Sequence, residues 1–112
     1  MANLSLETSV ADRATVIAVS GELDLAGAAA LEQELAGAQE SANVVVLDLR
    51  GVEFIDSSGL RLIAIAAQRA RDGVGRLALV PGPDQVMRVF EITRMRERLE
   101  FVDDPRQVTG ER

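Results

Sequence analysis

Runs with a two-residue period alternate with runs of helical spacing along this chain, and the connections between them are short. Leu4, Leu6, Thr8 and Val10 fall on one face of a period-two segment. After a polar break at Ala11, Asp12 and Arg13, residues 14–20 form a second run rich in β-branched side chains. The pair predicts an antiparallel hairpin. Gly21, Glu22, Leu23 and Asp24 interrupt, and from residue 25 to about 39 the positions Ala28, Leu31, Leu35 and Ala38 recur at helical spacing, with Glu32, Glu34 and Glu40 outward. Asp24 is the expected N-cap of that helix. Residues 44–49 are the most continuous apolar run, as a well-covered central strand requires. A helix is expected from about Leu60 to Arg71, with Leu60, Ile63, Ala64, Ala67 and Ala70 along one side and Gly73 and Gly75 ending it.

The remaining pattern is a strand over 76–80, a turn at Pro81, Gly82 and Pro83, and a short helix over 84–92 buried through Val86, Val89 and Phe90. A last edge strand is expected over 99–102, followed by a polar, frayed tail over 103–112. Strand-helix-strand units with such short connections dictate parallel pairing and right-handed crossovers. The expectation is therefore an α/β fold: a mixed sheet opening on an antiparallel hairpin and continuing in parallel strands. Its helices are amphipathic, so they should pack mainly on one face and leave the other partly open. The 112 residues suit a single domain with a core over about 3–102.

Composition decides which chemistry such a fold can host. Cys, His, Trp and Tyr are all absent, which removes thiol and imidazole catalysis, thiolate or imidazole zinc sites and redox disulfides. No metal or other cofactor is expected. Residues 1–50 carry eight acids against two bases, Arg13 and Arg50, while residues 51–112 carry ten of each, and every base is Arg. With a net charge of -6 and three Phe as the only aromatics, the chain lacks the cationic surface and stacking platforms of a nucleic-acid binder. No run approaches the roughly 18 apolar residues that span a bilayer, and the start, MANLSLETS, has no basic segment leading into an apolar one. A cytoplasmic protein without direct membrane contact is expected. Asp24, Asp48, Glu53 and Asp56 could supply a carboxylate pair for hydrolysis or a divalent metal, but an acid-using enzyme would need two or more of them converging in a pocket, and surface acids are usually just solvated. Met87 and Phe90 fit the core, and Ala64 to Ala70 suit close helix-sheet packing or a dimer face, so the chain is expected to be a monomer or weak homodimer.

The most informative segment is Asp56-Ser57-Ser58-Gly59, between the strand end Val52-Glu53-Phe54-Ile55 and the following helix. Asp and Ser are preferred capping residues, and one cap needs only one of them. Three are present, beside a glycine that would let another molecule approach the backbone. A strong N-cap is the plain reading of this segment, and the surplus hydroxyl adds a modified or docked surface as the alternative. A phosphate on Ser57 would add about -1.5 to -2 charges, suiting its own helix and repelling an acidic partner.

Gly21-Glu22-Leu23-Asp24 with its helix, the apolar strand, the segment Phe54-Ile55-Asp56-Ser57-Ser58-Gly59-Leu60, and the residues from Val86 to Thr93 stand in the order and spacing of a known class. Over nearly the whole chain the sequence resembles the STAS domain, and within it the bacterial anti-sigma factor antagonists. The resemblance implies a binding module with no catalytic activity and no cofactor of its own. Ser57 would be the phosphoacceptor. Asp24, Asp56, Ser57, Ser58, Gly59 and Leu60 would form the partner surface. An unphosphorylated chain would bind an anti-sigma factor serine kinase, which carries the ATP, and release its sigma factor; a serine phosphatase would reset the switch. The rival within the same class is a STAS-only adaptor that holds a constitutive partner in a stress-signalling or lipid-transport assembly, with Ser57 merely a cap. The chain departs from the family where a glycine is frequent after Thr93: it has Arg94, followed by Arg96 and Arg98, as an exposed basic face or a partner-specific contact.

Overall fold

A computed structural model describes residues 3–11 and 14–109. Strands β1 (Leu4–Ala11) and β2 (Ala14–Leu23) form the expected hairpin, with Leu4 opposite Gly21 and Ala11 opposite Ala14. The polar break at Asp12 and Arg13 lies outside the described residues. Helix α1 (Leu25–Ser41), strand β3 (Val44–Ile55), helix α2 (Ser57–Arg71), strand β4 (Arg76–Val80) and helix α3 (Asp84–Ile92) follow. The four strands lie in the order β1-β2-β3-β4, the first pair antiparallel and the others parallel. The fold is the expected α/β mixed sheet.

Strand alternation sorts the sheet residues to its two faces. On one, Ile17, Val19, Leu47, Leu49, Leu77 and Leu79 meet Leu31 and Leu35 of α1, Leu62 and Ile63 of α2, and Val86 and Phe90 of α3 in one cluster. The other face is half open. Val46, Ala78 and Val80 are buried there, and a final helical turn, α4 (Arg106–Thr109), packs against β3, whereas Ser5, Glu7 and Ser9 of β1 stay exposed. The tail expected to be frayed thus has local order within the described residues. Asp104 supplies the reason: its carboxylate accepts from Arg106 N–H at 2.9 Å, capping the turn, and from the Arg106 guanidinium at 3.1 Å. Those hydrogen bonds hold its carboxyl at about 2, well below the usual range.

Two boundaries differ from the sequence expectation. Helix α2 begins three residues before Leu60, so its buried arc is Gly59, Leu60, Leu62, Ile63, Ala66 and Ala67, and Ala64 turns outward. A regular edge strand over 99–102 does not form. The 3-10 turn Met95–Arg98 precedes it and the turn into α4 follows, leaving room for a single bridge of Phe101 to Leu79, with Leu79 N–H donating to Glu100 O and Val102 N–H to Leu79 O, both at 2.9 Å. The Phe101 ring packs edge-on against Phe90, 6.0 Å between centroids. The buried Gln39, outside the expected apolar stripe, ties α1 to α2: its Nε2 donates to Ala66 O at 2.8 Å and its Oε1 accepts from Arg69 Nε at 2.9 Å.

Arg94 is the only described non-glycine residue with positive φ, at 61°. It ends α3 in the left-handed conformation that glycine adopts without penalty. Arg96 lies 5.1 Å over the Phe101 ring and 3.7 Å from Glu91, so part of this basic run serves packing. Arg94→Gly is expected to raise stability by about 0.5 kcal/mol, the relief of left-handed strain exceeding the entropy cost of glycine. Equilibrium denaturation in urea checks the sign.

Candidate functional site

Two strand ends meet side by side at the carboxyl edge of the parallel strands. Leu23 of β2 pairs with Ile55 of β3, and the next residue in each chain segment is an aspartate that caps the following helix. Asp24 accepts from Ala26 N–H at 3.1 Å and Gly27 N–H at 3.3 Å. Asp56 accepts from Ser58 N–H at 2.8 Å and Gly59 N–H at 3.2 Å, while its own N–H donates to Leu23 O at 3.3 Å. The register places Asp24 and Asp56 together, yet each carboxylate is committed to its own helix. Asp56→Ala is expected to cost about 1 kcal/mol through loss of these two bonds, with faster amide exchange at Ser58 and Gly59 as the local readout.

With Asp56 as the cap, Ser57 is the first residue of α2 and is exposed, and its hydroxyl makes no hydrogen bond among the described residues. Ser58 is half-buried. Gly59 and Leu60 turn beneath the surface. A Cβ on Gly59 would stand 2.7 Å from Leu23 O and 2.8 Å from Ile55 Cγ1, so the room that glycine provides is filled by the chain's own strand ends. The expected role of Gly59 in admitting another molecule is corrected accordingly: it lets α2 sit down on β2 and β3. Leu60 joins the same core.

The exposed face contains two apolar residues that the sequence pattern did not single out. Leu25 is 76% exposed and Phe54 is 51% exposed. Leu25 stands at the start of α1, off the Leu31, Leu35 and Ala38 stripe, a signal present in its helical phase. Phe54 keeps the non-core phase of Val46 and Asp48: the register shifts between β2 and β3, at Ala18/Ser20 and Gly21/Glu22, each slip the pairing by one residue and together restore the alternation, so Ile55 is buried and Phe54 exposed. Exposed Glu53 and Phe54 close β3, Leu25 opens α1, and Asp24 and Asp56 follow the paired strand ends, with Ser57 directly after Asp56. Among the described residues no group of three or more carboxylates is placed to hold a metal ion, and no helix is long and apolar enough to cross a membrane.

The carboxyl edge of the parallel strands thus carries two aspartate-capped helix starts and the exposed Ser57. Residues 6–103 match the family described as "Mlab, STAS domain". The chain belongs to the STAS domain family. It is 29% identical over 96 residues to an anti-sigma-B factor antagonist of Staphylococcus aureus, covering 85% of this chain and 89% of that one. The crystal structure of an anti-sigma factor antagonist from Mycobacterium paratuberculosis superposes with a TM-score of 0.82 at 26% identity, over 93% of this chain and 89% of the other. The Bacillus cell fate determinant SpoIIAA in its phosphorylated form shares the fold, with a TM-score of 0.71 at 21% identity over 97% of this chain and 99% of that one. The Staphylococcus and Mycobacterium relatives are both named as anti-sigma factor antagonists.

Proposed function

We propose that this protein is an anti-sigma factor antagonist whose partner surface is the carboxyl edge around Asp24, Asp56, Ser57 and Ser58, widened by Leu25 and Phe54, with Gly59 and Leu60 supporting it from below. The observation that carries this reading is Ser57: exposed, without a hydrogen bond to its hydroxyl, and freed from capping by Asp56. Unphosphorylated, the surface docks a serine-kinase anti-sigma factor through an apolar complement to Leu25 and Phe54, and the sigma factor is released. The kinase then transfers the γ-phosphoryl group of its ATP. The Ser57 Oγ–phosphorus bond forms as the bond to the β,γ-bridging oxygen breaks, ADP departs, and the hydroxyl proton passes to a base of the kinase. The phosphate adds charge and bulk on the first turn of α2 and blocks redocking without refolding the domain. A serine phosphatase restores the hydroxyl by hydrolysis.

The names of the relatives support the partner class, and the phosphorylated form known for the Bacillus fold relative supports the modification. A second reading, an adaptor holding a constitutive partner with Ser57 only part of the helix start, is favoured by Leu25 and Phe54, whose apolar contact does not depend on a phosphate. One experiment separates the two. The anti-sigma kinase captured on the unphosphorylated chain is incubated with the protein and Mg-ATP, and the digest is read by mass spectrometry. The switch predicts one phosphate on the peptide containing Ser57 and none on Ser57→Ala. An unmodified peptide, together with equal kinase affinity for the Ser57→Ala and Ser57→Asp variants, leaves the adaptor.

A further inference from the structure

We propose that Arg61 is the built-in counter-ion of a phosphate on Ser57, an inference that rests on Ser57 being the phosphoacceptor. Both residues lie on the exposed side of α2, four residues apart. That spacing brings Cβ atoms to about 5–6 Å on a helix, and an anion placed four residues before a cation is the favourable order. Helical side chains lean towards the N-terminus, so the Arg61 stem reaches back over the turn that starts at Ser57.

Arg61 has nothing else to hold. Arg50 pairs with Asp48, Arg69 with Gln39, Arg71 with Gln68, Arg76 with Glu100 and Arg96 with Glu91. Arg61 makes no hydrogen bond or ion pair among the described residues. Its neighbours at three and four residues' spacing are Ser57, Ser58, Ala64 and Ile65, none of them acidic. The nearest carboxylate in sequence, Asp56, is turned into the helix end, where it accepts from Ser58 and Gly59. A guanidinium fork with no acid of its own, one turn from a free hydroxyl, matches the geometry of a phosphate monoester. In the unmodified protein the fork is free to reach an acidic group on the partner. Once Ser57 carries a phosphate, the fork folds onto it, so phosphorylation withdraws a cation from the docking face while it adds an anion.

The test does not need the kinase. Phosphoserine is incorporated at position 57 by genetic encoding, and the ³¹P resonance is titrated in low salt for three proteins: Arg61 intact, Arg61→Gln and Arg61→Lys. The second phosphate pKa of phosphoserine is about 6. It is expected to stand about 0.5 lower with Arg61 intact than in the Arg61→Gln protein, lysine giving a smaller decrease because it lacks the fork. The helix N-terminus acts on all three proteins alike, so the difference reports the guanidinium. Coincident titrations of the intact and Arg61→Gln proteins overturn the proposal. Failure of the kinase to modify Ser57 overturns the switch instead, and it leaves the titration result standing.

Discussion

Gly59→Ala is expected to lower the stability of the domain by about 2–3 kcal/mol, and its melting temperature by roughly 10–20 °C at this size. The new methyl carbon would lie 2.7 Å from Leu23 O and 2.8 Å from both Leu23 Cγ and Ile55 Cγ1. A flexible side-chain tip could swing aside, but here one of the three atoms is a backbone carbonyl of β2, and that carbonyl also accepts the Asp56 N–H. Relief therefore requires α2 to lift from the strand ends, opening the core beneath Leu60 and Ile63. The same lift would carry Ser57 and the Asp56 cap out of register with Asp24, so partner affinity should fall along with stability. Differential scanning calorimetry checks the magnitude. A melting temperature within a degree or two of the parent would mean that the close approach is not tight and that Gly59 is free for some other use.

The second large effect is on binding. Placing a charged group at position 57 is expected to weaken association with the anti-sigma partner by about 100-fold or more, since a docked, unpaired charge costs several kcal/mol. Ser57→Glu should reproduce part of this loss. Ser57→Ala should bind as the unmodified protein does, because the hydroxyl makes no hydrogen bond on which the site depends. The domain itself should be indifferent to all three residues: position 57 is exposed at the helix start, where an added anion is favourable rather than strained. Isothermal titration against the captured partner reads the affinity, and a thermal melt of each variant shows that the fold has not changed. Loss of affinity in Ser57→Ala equal to that in Ser57→Glu would assign the serine a contact role and remove the charge switch.

Much of this molecule follows from local pattern. The hairpin, the strand over 76–80 and the helix over 84–92 appear where periodicity predicts them, because Val, Ile and Leu at two-residue spacing and the Val86, Val89 and Phe90 stripe each admit one way of burying their apolar side. Helix boundaries are less legible. The start of α2 depends on which of Asp56, Ser57 and Ser58 takes the capping geometry, and those residue types compete nearly equally for it. The contest is settled by the Asp56 N–H bond to Leu23, a partner 33 positions away along the chain, which fixes Asp56 at the end of the strand. Gln39 could not be placed either, since a polar side chain is buried only when its partners are present, and Ala66 and Arg69 belong to another helix. The edge segment at 99–102 shows the reverse failure: its apolar alternation fits a strand, but neighbouring turns leave it two backbone bonds.

Side-chain type and spacing along one dimension are enough for the fold class, the layer of helices over the sheet, the absence of thiol and imidazole chemistry, and the cluster of capping residues that draws attention to position 57. Packing in three dimensions is needed to set Asp24 and Asp56 side by side, to make Asp56 the cap and so leave Ser57 free, and to fill the space at Gly59 from within. Each of those outcomes depends on the register that pairs Leu23 of β2 with Ile55 of β3, and register arises from the packing of many residues at once rather than from any local preference.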